Sequence, residues 1–488
     1  MSAALQPRQS SGSPFRRSQR QWRARSLFER VTCKHGSPTL IWRAPMNAHL
    51  SLASTVVLVP RRAGLCAGQD NTVDVLVRIQ APGAPTGHGA QRPPQALALV
   101  IDRSGSMSGR PLEEAKRCAE YVLGKLRPSD AVALVKFDNR VQRLWPAAPL
   151  GDGAPQRAAI AGIHAGGNTN LHGGWKEGAD ALTDVAGQGL KRVILLSDGQ
   201  ANEGVTDADE IAAQCAAWAA KGVTTSTYGL GNSFNEELMV AMARAGAGNH
   251  YYGDTADDLM EPFQQELELL GNLCLRDLRL AATVPDGFGV EIVNQLPKTE
   301  AGWRLPDLAW GAEAWAVLRV TVPTGALPPA GQLCTVLRVT VVGQSLEGDA
   351  VSLERAGLSL PVLTPAAFGN LADDELVTRR LVELAAAEAL MGMRQAAAAN
   401  DWVRVDALLE AASRQFAGNE WVAAVLEAMR SIAIGRERER AMKEMMYSSS
   451  KLRSRLASKD ESVAFYAAES LSVPAYLRRK PAQGKGDV

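Results

Sequence analysis

The chain has 488 residues and a formal net charge of +1, with 46% hydrophobic and 22% charged residues. This length predicts two to four domains, and the composition is that of an ordinary globular protein. The balanced charge excludes an overall electrostatic attraction to nucleic acid or to anionic lipid. No apolar run approaches the roughly 18 residues that a membrane-spanning helix needs. We therefore expect a soluble, multidomain protein with no transmembrane segment and no nucleic-acid partner.

The six cysteines are scattered along the chain, and no two of them form a C-x-x-C pair. This distribution argues against a disulfide framework and against a zinc site, and it fits a reducing compartment. The six histidines form no H-x-x-x-H pair. We therefore predict a cytoplasmic protein.

The first 45 residues carry eight arginines and one lysine against a single acidic residue, Glu29. Such a segment is typical of a basic arm or a transit-type sequence. A misassigned start, with Met46 as the first residue, explains the same pattern, and we favour it. Residues 50–59 are apolar, but no positive charge stands between Met46 and them, as a signal peptide would require. Secretion is therefore not expected.

Two strands are predicted before residue 95. The first covers residues 50–59. The second covers residues 71–80, where Val73, Val75, Val77 and Ile79 fall on one face. A period of two over this length predicts a strand with one buried side. Residues 81–95 hold four prolines and three glycines and are expected to form an irregular linker.

Strand and helix patterns alternate between residues 95 and 271. This alternation predicts βαβ crossovers and a doubly wound, mainly parallel α/β sheet with helices on both faces. The predicted strands are 96–101, 131–137, 193–197, 223–229 and 249–252, and the predicted helices are 111–126, 172–182, 207–220, 236–245 and 257–270.

After residue 272 the pattern returns to strands, predicted at 275–284, 288–294, 314–322, 334–342 and 351–360. Frequent prolines and glycines between them are typical of an antiparallel β-sandwich. Because two strands alone are marginally stable, we infer that the strands of residues 46–94 complete this sandwich. The α/β domain of residues 95–271 would then be inserted in a sandwich that resumes at 272–366.

The last part of the chain is predicted to be helical over residues 367–457. One helix covers 376–388, a second begins after Asn400-Asp401, and a third begins at Glu420. Residues 436–443 alternate in charge, which predicts a solvated helix face. Residues 458–488 are polar and basic, and we expect them to form a flexible tail.

An oxygen-rich segment follows the first strand of the α/β region. It reads Asp102-Arg103-Ser104-Gly105-Ser106, directly after the apolar residues 96–101. One carboxylate and two hydroxyls, spaced by two residues, present oxygen ligands at the edge of a sheet. Oxygen ligands are what a hard divalent cation such as Mg²⁺ or Ca²⁺ requires.

The order D-x-S-x-S after a buried strand resembles the metal-ion-dependent adhesion site of von Willebrand factor type A (vWA) domains, and the resemblance covers residues 95–270. It implies a threonine ligand from a second loop, matched by Thr169 within residues 166–174, and a carboxylate after a later strand, matched by Asp198. One departure is the extra Asn168 between Gly167 and Thr169, where many family members have Gly-Gly-Thr.

The resemblance further implies that the strands ending at Asp102 and Asp198 are neighbours where the strand order reverses, so that their loops meet. Ser104, Ser106 and Thr169 are neutral ligands, and at least one of the two carboxylates would act through water, so a bound Mg²⁺ keeps positive charge and an open position. Ca²⁺ or Mn²⁺ could take its place. The implied ligands are Asp102, Ser104, Ser106, Thr169 and Asp198, and the implied site loops contain Gly105, Gly167, Asn168 and Gly199.

Two nearby residues allow other interpretations. His172 is better explained as a loop or helix-cap residue, because a hard cation disfavours imidazole. Asp138 either contacts the ligand residues without binding the ion itself or forms a turn after the strand of residues 131–137.

The function that this resemblance implies is a protein-binding module that docks an aspartate or glutamate of its partner on Mg²⁺. Two alternatives stay open: an accessory subunit with an ATPase partner in an assembly or metal-insertion machine, and a scaffold with a purely structural metal. The sequence contains neither a G-x-x-x-x-G-K-[ST] phosphate loop nor a G-x-S-x-G motif. We therefore predict that the chain is not an enzyme.

Overall fold

The computed structural model describes residues 54–83, 94–183, 185, 189–198, 201–230, 235–253, 255–353, 355–454 and 456–458. The described residues all belong to one compact unit, Leu52–Val488. The basic segment of residues 1–45, the start of the strand predicted at 50–59, most of the linker and the predicted tail lie outside them.

The described residues form strands and helices in the following order. The strands are β1 Thr55–Pro60, β2 Leu65–Cys66, β3 Asn71–Gln80, β4 Ala96–Asp102, β5 Ala131–Phe137, β6 Val141–Pro149, β7 Lys191–Ser197, β8 Val223–Leu230, β9 Ala247–Gly253, β10 Leu273–Thr283, β11 Gly289–Ile292, β12 Lys298–Thr299, β13 Gly302–Arg304, β14 Leu308–Ala309, β15 Ala312–Val322, β16 Leu333–Gln344, β17 Ala350–Ser352, β18 Ala356–Leu363 and β19 Ala457–Ser458. The α-helices are α1 Arg110–Lys125, α2 Ala154–Ala161, α3 Leu171–Thr183, α4 Ala208–Ala220, α5 Glu236–Ala245, α6 Ala256–Gly271, α7 Pro365–Gly369, α8 Glu375–Ala398, α9 Trp402–Gln415, α10 Glu420–Gly435 and α11 Arg438–Ser454.

The central sheet has the strand order β6-β5-β4-β7-β8-β9. All neighbours are parallel except β5 and β6. Every residue of β4 and of β8 is buried, as expected for parallel strands that are covered on both faces. The predicted mainly parallel α/β sheet is therefore confirmed. The strand order reverses between β4 and β7, so their carboxyl ends lie side by side.

The sequence did not predict β6 or α2. Strand β6 lies at the edge of the sheet, and its residues are exposed or half-buried without a period of two. It also contains Pro146 and Pro149, which are tolerated in an edge strand and usually indicate a loop.

Two further sheets are built from strands that precede and follow the α/β region in the chain, and all their strand pairs are antiparallel except that of β2 with β18. One has the order β1-β3-β15-β11 and the other β12-β13-β10-β16-β18-β2. Strands β3 and β15 pair over ten positions, from Asn71 opposite Val322 to Gln80 opposite Glu313. Strands before and after the α/β region thus share one sheet, as the inferred insertion requires. The exact domain boundaries stay a prediction.

The expectation that β3 has one buried side is wrong. Leu76, on the face predicted to be exposed, is fully buried in a cluster with Val377 and Leu384 of α8. Asp74 on the same face is also buried and accepts a hydrogen bond of 2.8 Å from Arg319 Nε. The physical reason is that α8 packs over this face, which the local pattern of β3 does not reveal.

Helices α8, α9 and α10 confirm the predicted helical region. Asp401 and Asn419 cap α9 and α10 by accepting hydrogen bonds from Arg404 N and Val422 N. The prediction of a solvated face at residues 436–443 holds only for residues 436–439, which are exposed. Ala441 and Lys443 are buried, because α11 continues to Ser454 and packs against the rest of the protein.

A buried polar network connects α6 to the parallel sheet. Glu266 of α6 is fully buried and forms an ion pair with Arg192 of β7. The Glu266 carboxylate also accepts hydrogen bonds from Ser226 Oγ (2.6 Å), Asn249 Nδ2 (2.7 Å) and the Tyr251 hydroxyl (3.1 Å). One carboxylate therefore joins α6 to three adjacent strands.

The cysteines in the described part of the chain are Cys66, Cys118, Cys215, Cys274 and Cys334, and each is a buried free thiol. Among the described helices, none combines the length and the apolar character required to cross a bilayer.

Candidate metal centre

Asp102 ends the buried strand β4, and its carboxylate is fully buried. Its Oδ1 accepts a hydrogen bond of 2.8 Å from Ser104 N, and its Oδ2 accepts one of 2.5 Å from Ser197 Oγ. The sequence did not identify Ser197. The register of β4 against β7 would have identified it: Ile101 pairs with Leu196, so Asp102 and Ser197, which follow them, are neighbours.

Two hydroxyls join Asp198 to the loop that follows β4. Ser104 Oγ and Ser106 Oγ are 3.1 Å apart, and Ser106 Oγ donates to Asp198 Oδ1 at 3.0 Å. Ser104 and Asp198 are buried, whereas Ser106 is exposed. The loops after β4 and β7 therefore present a continuous series of oxygens that reaches the protein surface at Ser106.

Glycines hold the second loop, which in the structure covers residues 162–170 because α3 already begins at Leu171, against the loop that follows β4. Gly105 N donates to Gly167 O at 2.9 Å, and Gly166 N donates to Arg103 O at 2.7 Å. Gly167 has a φ of +82°, and a Cβ at this position would lie 2.8 Å from Asp138 Oδ2. Only glycine suits this backbone conformation and spacing at position 167.

Thr169 is buried and lies next to the loop after β7. Its backbone N donates to Asn202 Oδ1 at 2.8 Å, and Asn202 N donates to Thr169 O at 3.1 Å. The sequence did not identify Asn202, because no local pattern indicates that it contacts Thr169. Asn168 is exposed in the same loop. Gly199 lies outside the described residues.

Burial and mutual repulsion disfavour the charged forms of the two carboxyl groups. Burial raises the pKa of Asp102, and the nearby negative charge of Asp138 raises it further. Burial and the charge of Asp102 raise the pKa of Asp198 from 3.8 to about 6. A divalent cation would relieve this repulsion.

The donor set fits a hard cation. Two carboxylates and two serine hydroxyls converge here, with a threonine in the adjoining loop, and all of these donors are oxygens. Across the described ranges, no group of three or more His, Cys, Asp or Glu side chains is arranged to hold a metal.

His172 and Asp138 have clear structural roles. His172 lies in the first turn of α3, where its Nε2 is 2.9 Å from Gln214 Oε1. Asp138 accepts a hydrogen bond of 2.7 Å from Arg140 N, as in a turn, and its Oδ2 is 2.5 Å from Arg103 Nη2. Asp138 thus serves both in a turn and as a support for the first loop.

Residues 96–266 match the family model described as the von Willebrand factor type A domain. The protein YfbK from Escherichia coli (strain K12) is 30% identical over 191 residues, which cover 38% of this chain and 33% of YfbK. The chain spans less than half the length of the first curated relatives that it matches.

Two solved structures share the fold over most of the chain. A von Willebrand factor type A protein from Catenulispora acidiphila has a TM-score of 0.60 and 18% identity, and the likeness covers 76% of this chain and 89% of that one. The ArnB paralog VWA2 from Sulfolobus acidocaldarius has a TM-score of 0.55 and 16% identity, with 82% and 98% covered. At these identities the likeness shows the fold alone, and it extends well beyond the parallel sheet.

Proposed function

Residues 96–266 of this chain form a von Willebrand factor type A domain, and from this premise we propose that the chain binds a protein partner through a divalent cation. The observation that carries the proposal is the hydrogen-bonded series of Ser104, Ser106 and Asp198 beside the buried Asp102. These oxygens lie at the carboxyl ends of β4 and β7, where doubly wound sheets bind their ligands.

Asp102, Ser104, Ser106, Thr169 and Asp198 would hold the cation, and Mg²⁺ is the one we propose first, with Ca²⁺ or Mn²⁺ as substitutes. With three neutral hydroxyl ligands and one of the two carboxylates acting through water, Mg²⁺ would keep positive charge and supply a Lewis-acidic position with affinity for a further carboxylate. Ser106 and Asn168 are exposed, so this side of the site is accessible to a partner. We therefore propose an aspartate or glutamate of another protein as the ligand.

We propose binding without catalysis, in the reducing cytoplasm that the free thiols suit. A serine nucleophile needs an adjacent general base, usually an imidazole. In the described part of the chain, the Ser106 hydroxyl contacts Ser104 and Asp198, and the ring nitrogen of His172 contacts Gln214. These contacts support an ion-binding role for the hydroxyls.

Selection from a random peptide library displayed on phage tests the proposed function. The full chain is immobilised, the library is applied with Mg²⁺, and bound phage are released with EDTA. We expect the released peptides to share an Asp or Glu, because a carboxylate completes the coordination of the cation. Changing that residue to Asn or Gln in a synthetic peptide is expected to remove binding.

The Asp102→Ala chain serves as the control surface in the same selection. It should release no peptide on EDTA treatment, since it lacks a carboxylate ligand. Equal recovery of peptides with EDTA present throughout would contradict the proposed function, as would selected peptides without any acidic residue.

The affinity for Mg²⁺ is expected to decrease at acidic pH. The cation binds the ionised form of Asp198, whose pKa in the metal-free protein is raised to about 6 by burial and by Asp102. Protons therefore compete with Mg²⁺ below this pKa. The apparent affinity should be constant above about pH 7 and fall by up to about tenfold per pH unit below about pH 6.

Isothermal titration calorimetry of Mg²⁺ at several pH values measures this dependence. The stability of the metal-free protein should depend on pH in the opposite direction to the Mg²⁺ affinity. Because the folded pKa of Asp198 exceeds its ordinary value of 3.8, the metal-free fold should lose stability as the pH rises from 3.8 to about 6. An affinity that does not change between about pH 5 and about pH 7.5 would contradict the prediction.

A further inference from the structure

Arg103 connects three segments of the chain around the candidate metal centre. Its backbone N donates to Phe137 O at 2.8 Å, at the end of β5, and its backbone O accepts from Gly166 N at 2.7 Å. Its Nη1 donates to His164 O at 3.0 Å, and its Nη2 forms the 2.5 Å ion pair with Asp138. One residue of the D-x-S-x-S segment is thus fixed to β5 and to the second loop.

Arg103 and Asp138 each contact one end of the segment that carries Thr169. Arg103 binds the carbonyl of His164 at the start of the segment. At its end, Asn170 N donates to the backbone O of Asp138 at 3.0 Å. The side chains of Arg103 and Asp138 are 22% and 5% exposed, so their contact is largely screened from water. Residues 164–170 are therefore held at one end by the guanidinium of Arg103 and at the other by the backbone of Asp138, and a partly buried ion pair joins these two residues.

We propose that Arg103 is a positioning residue of the cation site, which fixes Thr169 by holding residues 164–170 together with Asp138. This inference rests on the proposed function. Arg103 does not contact the ion in this proposal, and its positive charge would even oppose a cation. Its effect is geometric, because a threonine hydroxyl is a useful ligand only where its loop is fixed before the cation arrives.

The geometric role distinguishes Arg103 from an ordinary ion pair. A planar guanidinium can donate to the His164 carbonyl and to the Asp138 carboxylate at once, whereas a lysine ammonium cannot reproduce this fork. Arg103→Lys keeps a positive charge opposite Asp138 but loses the hydrogen bond to the His164 carbonyl. A purely electrostatic role predicts full function in this variant, and the positioning role predicts a deficit.

A double-mutant cycle measured by calorimetric titration of Mg²⁺ tests the inference. We expect Arg103→Met and Thr169→Val each to weaken Mg²⁺ binding by about tenfold, within the range known for residues that support metal ligands. The Mg²⁺ affinity of the double variant should be at most about threefold below that of whichever single variant binds Mg²⁺ less tightly. The reason is that both substitutions remove the same contribution to binding. Arg103→Lys should recover only part of the loss.

Arg140→Met is the matched control, since this exposed arginine lies in the adjacent turn and its side chain is not part of these contacts. It should bind Mg²⁺ like the wild type. Hydrogen exchange of the metal-free Arg103→Lys chain provides a second measurement if Arg103→Met does not fold. We expect faster exchange in residues 164–170, with β4 unchanged.

Each result has a distinct meaning. Losses that multiply in the double variant, full recovery by Arg103→Lys, or unchanged exchange in residues 164–170 would overturn the positioning role and leave the proposed function intact. A wild-type chain that binds neither Mg²⁺ nor an EDTA-released peptide would overturn the proposed function and this inference with it.

Discussion

Replacing Asp102 with alanine is expected to abolish Mg²⁺ binding, with a loss in affinity of more than about 100-fold, because residues that merely support a ligand already contribute 10- to 100-fold. Asp102 is one of two carboxylates in the proposed ligand set and receives hydrogen bonds from Ser104 and Ser197 that orient it. Binding of any peptide selected in the presence of Mg²⁺ should disappear with the metal.

The fold should survive this substitution. Burial raises the pKa of Asp102, so its ionised form is not a source of stability in the metal-free protein. The hydrogen bonds that Ser197 Oγ and Ser104 N donate to this carboxylate are lost, at a cost of about 1–3 kcal/mol. Calorimetric titration measures the binding, and circular dichroism during urea unfolding measures the stability.

Asp286→Ala is a suitable control, because Asp286 is an exposed carboxylate between β10 and β11, outside the proposed site. It should leave both Mg²⁺ binding and stability unchanged. Wild-type affinity in Asp102→Ala would contradict the metal centre. Lost metal binding with unaltered peptide binding would instead favour a purely structural cation.

Replacing Glu266 with alanine is expected to destabilise the protein by about 3–5 kcal/mol, the usual result of leaving one member of a buried ion pair alone. Arg192 is 2% exposed and would keep its charge in the sheet without the carboxylate that faces it. Ser226, Asn249 and Tyr251 would each lose a hydrogen-bond acceptor. The midpoint of urea unfolding should fall accordingly.

Asp257→Ala on the same helix is the control, because its ion pair with Arg117 is exposed to solvent. Such exposed pairs contribute at most about 1 kcal/mol. A double variant with leucine at positions 192 and 266 should be more stable than Glu266→Ala, since no charge is left buried. A Glu266→Ala chain within about 1 kcal/mol of the wild type would show that α6 does not depend on this network.

Features with a local signal could be predicted from the sequence. The apolar residues before Asp102 and before Asp198 form the adjacent strands β4 and β7, and the helix pattern at residues 236–245 coincides with α5. The D-x-S-x-S segment contacts Asp198 through Ser106 and contacts the second loop through backbone hydrogen bonds, and its role as a ligand set stays a prediction. Regular periodicity and strand-end polar residues are properties of a few consecutive positions.

The features that the sequence did not reveal depend on distant parts of the chain. Ser197 and Asn202 touch the site through the register of β4 and β7 and through the fold of one loop against another. The second buried face of β3 depends on α8, about 300 positions further along the chain. In each case the residue type allows several environments, and tertiary packing selects one of them.

The pairing of β3 with β15 has a consequence for the synthesis of the protein. Residues Gln80 and Glu313, which face each other across these strands, are 233 positions apart. At ribosomal rates of about 5–20 residues per second, β15 leaves the ribosome on the order of 10 to 50 seconds after β3. During this interval the α/β region can fold completely, while β3 exposes an apolar edge without its partner. The amino-terminal strands of the nascent chain therefore need protection from aggregation during this interval.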